Sequence, residues 1–199
     1  IIYVSLNKIF REIIKMLLRN FFGHLTTVLQ HKWHVFKLCC RVGLVWQGII
    51  HDISKFSYTE FSEGVKYYQG YRSPIKACKD ENGYSRAWLH HKGRNKHHYQ
   101  YWYDYQTKIS TPIIPYKYVA EMICDNLAAG IVYLGKDWTN DSQLKYWKER
   151  EGVNAILAPE IKAVLDEAFE QVAKYGIKTT ITSKNLKAIY IKHCGKLVK

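Results

Sequence analysis

Residues 116–134 read YKYVAEMICDNLAAGIVYL. The stretch follows Pro112 and Pro115, and Val119-Ala120, Met122-Ile123-Cys124 and Leu127-Ala128 leave it apolar nearly all round. That spacing predicts a long helix from about Tyr116 to Leu134, in the middle of the fold. Asp125 interrupts it between Cys124 and Asn126. A carboxylate there is costly to bury unless it is paired, hydrogen-bonded or bound to a cation.

The remaining sequence supplies helices to surround it. Phe10, Ile13, Ile14, Leu17, Leu18 and Phe21 recur at i, i+3, i+4, i+7 and predict an amphipathic helix over 9–22. Its polar face is basic, and we expect its apolar face to pack on its own domain. A second helix is expected from Thr26 to Arg41, with His31 near the face of Val28, Val35 and Leu38, and a third from Val45 to about Lys55. Ser57, with Glu60 three residues on, reads as a capping box opening a helix over 58–69. Turn signals at Ser73-Pro74 and Asn82-Gly83 flank a short helical piece, Tyr84 to His91 resumes a helix that Gly93 breaks, and 97–105 reads as one more. Beyond the central helix, 141–150 and 159–175 are helical in pattern. Ile177 to Thr182 is β-branched and alternating, the pattern of a short strand, and Leu186 to His193 reads as a final helix. The sum is an all-α helical bundle forming one domain, with a core over about 24–135 and a helical extension over 136–199.

The 199 residues carry 30 Lys+Arg against 17 Asp+Glu, a formal net charge of +13. The excess is uneven: seven basic residues and one acid fall in 1–50, and six basic residues and no acid in 176–199. Such a field favours anionic partners: phosphorylated small molecules, nucleic acid or an anionic membrane surface. With 47% hydrophobic residues the chain is too apolar for intrinsic disorder. Five cysteines without a CxxC pair point to a reducing cytoplasm. No apolar run approaches the roughly 20 residues of a membrane span, and P-loop, Rossmann and GxSxG patterns are absent.

Seven of the nine histidines fall between His31 and His98. His31, the adjacent pair His51-Asp52, and Asp125 bring two imidazoles and two carboxylates from separate helices. That donor set suits Mn²⁺, Fe²⁺, Co²⁺, Ni²⁺ or Zn²⁺, and its lack of cysteine argues against a structural zinc. Arg94 and Asn95 lie in a glycine-containing loop between His90-His91 and His97-His98, where an arginine fork suits a phosphate. The aromatic run Tyr99 to Tyr105 then offers stacking faces or core packing.

The pattern H…HD…D formed by His31, His51-Asp52-Ile53-Ser54-Lys55 and Asp125 resembles the HD-domain metal-dependent phosphohydrolases over about residues 24–135. The segments around His31, His51 and His90–His98 also resemble an uncharacterised family of small bacterial and phage proteins. The first resemblance implies an all-helical fold in which His31, His51, Asp52 and Asp125 hold a divalent metal and a metal-bound water attacks a phosphoester. It implies a catalytic role for Asp52, substrate phosphate beside Lys55, and a second ion where further histidines intervene; His91 and His98 are the candidates for it. His90, His97, Arg94 and Asn95 are then expected to bind substrate, with a nucleotide or cyclic nucleotide favoured. Two rival readings keep the same residues. One is a non-catalytic basic module for nucleic acid or nucleotides, the other a di-iron oxygenase; a homodimer is compatible with all three.

Overall fold

The computed structural model describes residues 2–105, 111–150 and 156–198, with side chains described from residue 9 onward. All regular structure among the described residues is helical. The helices are α1 (Ile2–Arg41), α2 (Val45–Ile50), α3 (Tyr58–Lys66), α4 (Pro74–Asn82), α5 (Arg86–Lys92), α6 (Tyr116–Leu134), α7 (Ser142–Glu149), α8 (Pro159–Thr180) and α9 (Ser183–Cys194), with short 3₁₀ turns at 53–56, 99–101 and 135–137. No described helix is long and apolar enough to cross a membrane. The chain forms two compact units: Ile1–Gln30 with Ile53–His91, and His31–Asp52 with Lys92–Lys199.

In the first unit α1 passes straight through Gly23, where two separate helices were expected. A side chain at Gly23 would meet the Tyr68 ring 2.4 Å away, so this glycine admits a neighbour and does not break the helix. Gly64 does the same for His24, whose Nε2 lies 2.2 Å from where a Cβ would stand. His24 packs against Phe61 and Tyr68. Ser57 caps α3 as expected by accepting from the Glu60 amide. The Glu63 carboxylate caps α5, accepting from Ser85 Oγ and from the amides of Arg86 and Ala87.

Residues 9–19 of α1 are exposed, contrary to the expected packing of that segment on its own domain. A 40-residue helix is about 60 Å long, roughly twice the span of a small domain, and only from Asn20 onward is the inward stripe covered. Asn20 is buried and donates to the Val65 carbonyl.

The second unit holds the larger core. Ile123, Leu127 and Ala128 of α6 join Ile161, Leu165, Phe169 and Val172 of α8, Leu186 and Tyr190 of α9, and Val35 and Cys39 of α1. The spacing of α6 was legible to the residue, and its apolar faces are buried as expected. Tyr190 Oη donates to the Ile114 carbonyl at 2.8 Å and Trp147 Nε1 to Asp166 at 2.6 Å, so both aromatics keep a polar partner. The short strand expected over 177–182 is instead the end of α8, resumed after a non-helical Gly176 (φ 78°, ψ 165°). Thr180 and Ile181 are buried there; among the described residues no second strand exists to pair with, and helical packing overrides the β-branched preference.

Candidate metal centre

The second unit gathers His31 from α1, His51 and Asp52 from the end of α2, His97 from the loop after α5, and Glu121 and Asp125 from α6. All six are buried. Glu121 and Asp125 lie four residues apart, so they share one face of α6.

The third helix expected from Val45 to Lys55 breaks at the His51-Asp52 pair. Adjacent residues inside a helix point about 100° apart, so an unbroken helix could not aim both at one point. α2 ends at Ile50, His51 turns extended (φ −49°, ψ 128°), and Asp52 adopts a left-handed backbone (φ 52°), the one non-glycine residue among those described to do so. Such backbone costs about 1 kcal/mol or more outside glycine and is tolerated best by Asp and Asn. Lys32 Nζ donates to the carbonyls of Ile49 and His51, covering the freed end of the helix with a cation.

Four donor atoms then converge. His31 Nε2 lies 2.9 Å from Asp125 Oδ1, 3.3 Å from His51 Nε2 and 3.7 Å from Asp52 Oδ2. His51 Nε2 is 3.4 Å from both Asp52 Oδ2 and Asp125 Oδ1. Ligands about 2.1 Å from a first-row divalent ion stand about 3.0 Å apart at right angles and about 3.4 Å apart in a tetrahedron, and the observed separations bracket both. The N₂O₂ set suits Mn²⁺ to Zn²⁺. The side chains of His51 and Asp52 are sealed, while those of His31 and Asp125 keep 8% and 12% exposure, so solvent reaches the cluster on their flank.

A second tier orients the first. Glu121 Oε1 accepts from His51 Nδ1 at 2.9 Å and from His97 Nδ1 at 3.0 Å. An ionised carboxylate only accepts, so both imidazoles carry their proton on Nδ1 and turn Nε2 inward. His97 Nε2 lies 3.2 Å from Asp52 Oδ1, the oxygen not facing His31 and His51. Asp52, His97 and His98 also present atoms within 4.8 Å of one another, as do His51, His97 and Glu121.

The electrostatics point to a charge deficit. Three carboxylates facing three neutral imidazoles leave a buried excess of negative charge. Burial alone would lower the His51 pKa, yet Asp52, Asp125 and Glu121 raise it well above its usual value. Burial and the His51 charge lower that of His97, and Asp52 and Glu121 outweigh them. For Asp125 and Glu121 burial acts upward, and the facing histidines hold both below the usual carboxylate range. Without an ion, the cluster balances itself by holding protons on its histidines. A divalent cation supplies the same charge, so the residues fit one.

The other sequence candidates have distinct settings. In the first unit His90 and His91 donate from Nδ1 to the two oxygens of buried Glu60, at 2.6 and 2.7 Å, and Ser54 Oγ lies 3.3 Å from His91 Nδ1. Glu60 is thus more than the capping acid its spacing suggested. Lys55 is half-buried in the 53–56 turn, where its charge helps depress the pKa of His24. In the second unit His98 is half-buried with its ring 4.3 Å from that of His97, Arg94 is exposed and Asn95 half-buried. Glu121 escaped the sequence reading; the signal for it was a second acid one turn before Asp125 on an apolar helix.

Residues 20–171 match the model of a Family of unknown function (DUF5662). The chain belongs to this family. The match takes in every residue of the DUF5662 chain's second-unit cluster, from His31 to Asp125. No curated protein and no solved structure matches the chain.

Proposed function

We propose that this chain is a metal-dependent phosphohydrolase acting on a nucleotide or related phosphoester. The observation that carries the reading is the convergence of His31, His51, Asp52 and Asp125 at ligand-to-ligand distances, with one flank open to solvent. A divalent ion bound there supplies an activated water and polarises a phosphoryl oxygen. The chain's own groups do the rest. Glu121 fixes the His51 tautomer, so the Nε2 lone pair stays directed into the site. His97, its proton affinity raised by Asp52 and Glu121, holds a proton on Nε2 against Asp52 Oδ1 and can deliver it to a leaving oxygen. Arg94 and Lys96 add cationic charge in the same unit, and Lys96 lies over the rings of Tyr101 and Tyr118, which offer flat faces to a base.

The test is hydrolysis of a panel of nucleotides, cyclic nucleotides and simple phosphoesters with Mn²⁺, Fe²⁺, Co²⁺, Ni²⁺ or Zn²⁺. Turnover that disappears in Asp52→Asn supports the reading; no turnover with any metal overturns it. The placement of His97 and His98 beside the far oxygen of Asp52 favours carrying a second reading, a two-ion site. Two irons per chain with a visible absorption band and no phosphoester turnover would assign that pair to oxygen chemistry.

A further inference from the structure

The exposed N-terminal segment of α1 has no role in the cluster. Ile9, Phe10, Ile13, Ile14, Met16, Leu17, Leu18 and Phe21 are each 39–63% exposed. At 100° per residue, the arc from Met16 through Ile13, Leu17 and Phe10 to Leu18 covers about 200°, twice the roughly 100° stripe with which a helix packs on a core. Asn20 is the one polar residue within that arc, and it is spent on the Val65 carbonyl. The opposite arc carries Arg11, Lys15 and Arg19, with Glu12 the single acid, already held by Lys15 at 2.8 Å.

We propose that residues 9–22 form a membrane-surface helix that lays its apolar arc into an anionic phospholipid bilayer. Phenylalanine, leucine and isoleucine on one side with arginine and lysine on the other is the composition of an interfacial helix. The long basic side chains bordering the arc reach headgroup phosphates while their stems stay in the apolar layer. Charge complementarity selects lipid over a second copy. Pairing two such helices would set Arg11, Lys15 and Arg19 against the same cations, in chains that each carry +13.

The test is co-sedimentation of the full chain with vesicles of phosphatidylcholine, with and without phosphatidylglycerol. Binding to the phosphatidylglycerol vesicles that weakens with added salt is expected. The double variant Phe10→Glu, Leu17→Glu, which alters only exposed positions, lowers it by about tenfold or more, and Arg11→Ser with Lys15→Ser removes the preference for anionic lipid by a similar factor. Circular dichroism and metal content measured on the same preparations stay unchanged, so the outcome is independent of the catalytic reading. Failure of the wild type to bind either vesicle overturns the proposal. So does a stable dimer that Phe10→Glu, Leu17→Glu converts to monomer without any vesicle binding.

Discussion

In the first unit one buried carboxylate, Glu60, serves two imidazoles, whereas in the second three carboxylates, Asp52, Glu121 and Asp125, face three, His31, His51 and His97. A single shared proton neutralises the first arrangement. Burial alone would raise the Glu60 pKa, and its hydrogen bonds from His91 and His90 hold it low, so the group is a compact structural ion pair. The second arrangement is balanced only by several protonated histidines or by a metal. Clustered histidine and acid is common to both; surplus carboxylate charge, with Nε2 atoms turned toward one point, distinguishes the cation site.

Replacing Asp125 by Asn should separate the two most sharply. It removes one ligand charge and keeps the shape, and bound metal should drop to background, as read by elemental analysis. In Glu60→Ala the expectation reverses: metal content holds, while stability measured by denaturant unfolding falls by about 3–5 kcal/mol, the usual result of breaking one side of a buried pair. If Glu60→Ala instead strips the metal, the contrast between the clusters is wrong.

His24 extends the comparison to a buried imidazole whose Nδ1 makes no hydrogen bond. Burial first, and the Lys55 charge second, lower its pKa from 6.5 to about 4. The unfolded chain therefore binds a proton that the folded chain refuses. The stabilisation from a neutral His24 is full above pH 6.5 and is lost as pH falls toward 4, a change of roughly 3 kcal/mol. In His24→Gln that portion of the acid slope should vanish from pH-dependent unfolding curves. The smallest effect is expected for Glu121→Gln, which keeps the ligands and loosens their orientation: metal affinity by competition titration should fall about 10–100-fold.

The ligands themselves were legible because they violate a pattern: an acid in the most apolar helix, and an imidazole on the inward stripe of α1. What the sequence obscured was geometry that local spacing does not encode. The left-handed turn at Asp52 breaks a segment whose hydropathy is helical, and only that break lets His51 and Asp52 face the same ions. His97 and His98 are adjacent, and nothing local says which one is buried between Asp52 and Glu121. Gly23 reads as a helix breaker but serves the Tyr68 ring, while Ile177–Thr182 reads as a strand because its partners in packing lie elsewhere in the chain.

The most direct test of the cation site is the metal content of the chain purified without a histidine tag, beside Asp52→Asn, whose asparagine keeps the left-handed backbone. The account predicts near-stoichiometric divalent metal in the wild type and none in the variant, with both folded. Two folded, metal-free proteins that stay so after incubation with Mn²⁺, Fe²⁺, Co²⁺, Ni²⁺ and Zn²⁺ would contradict it.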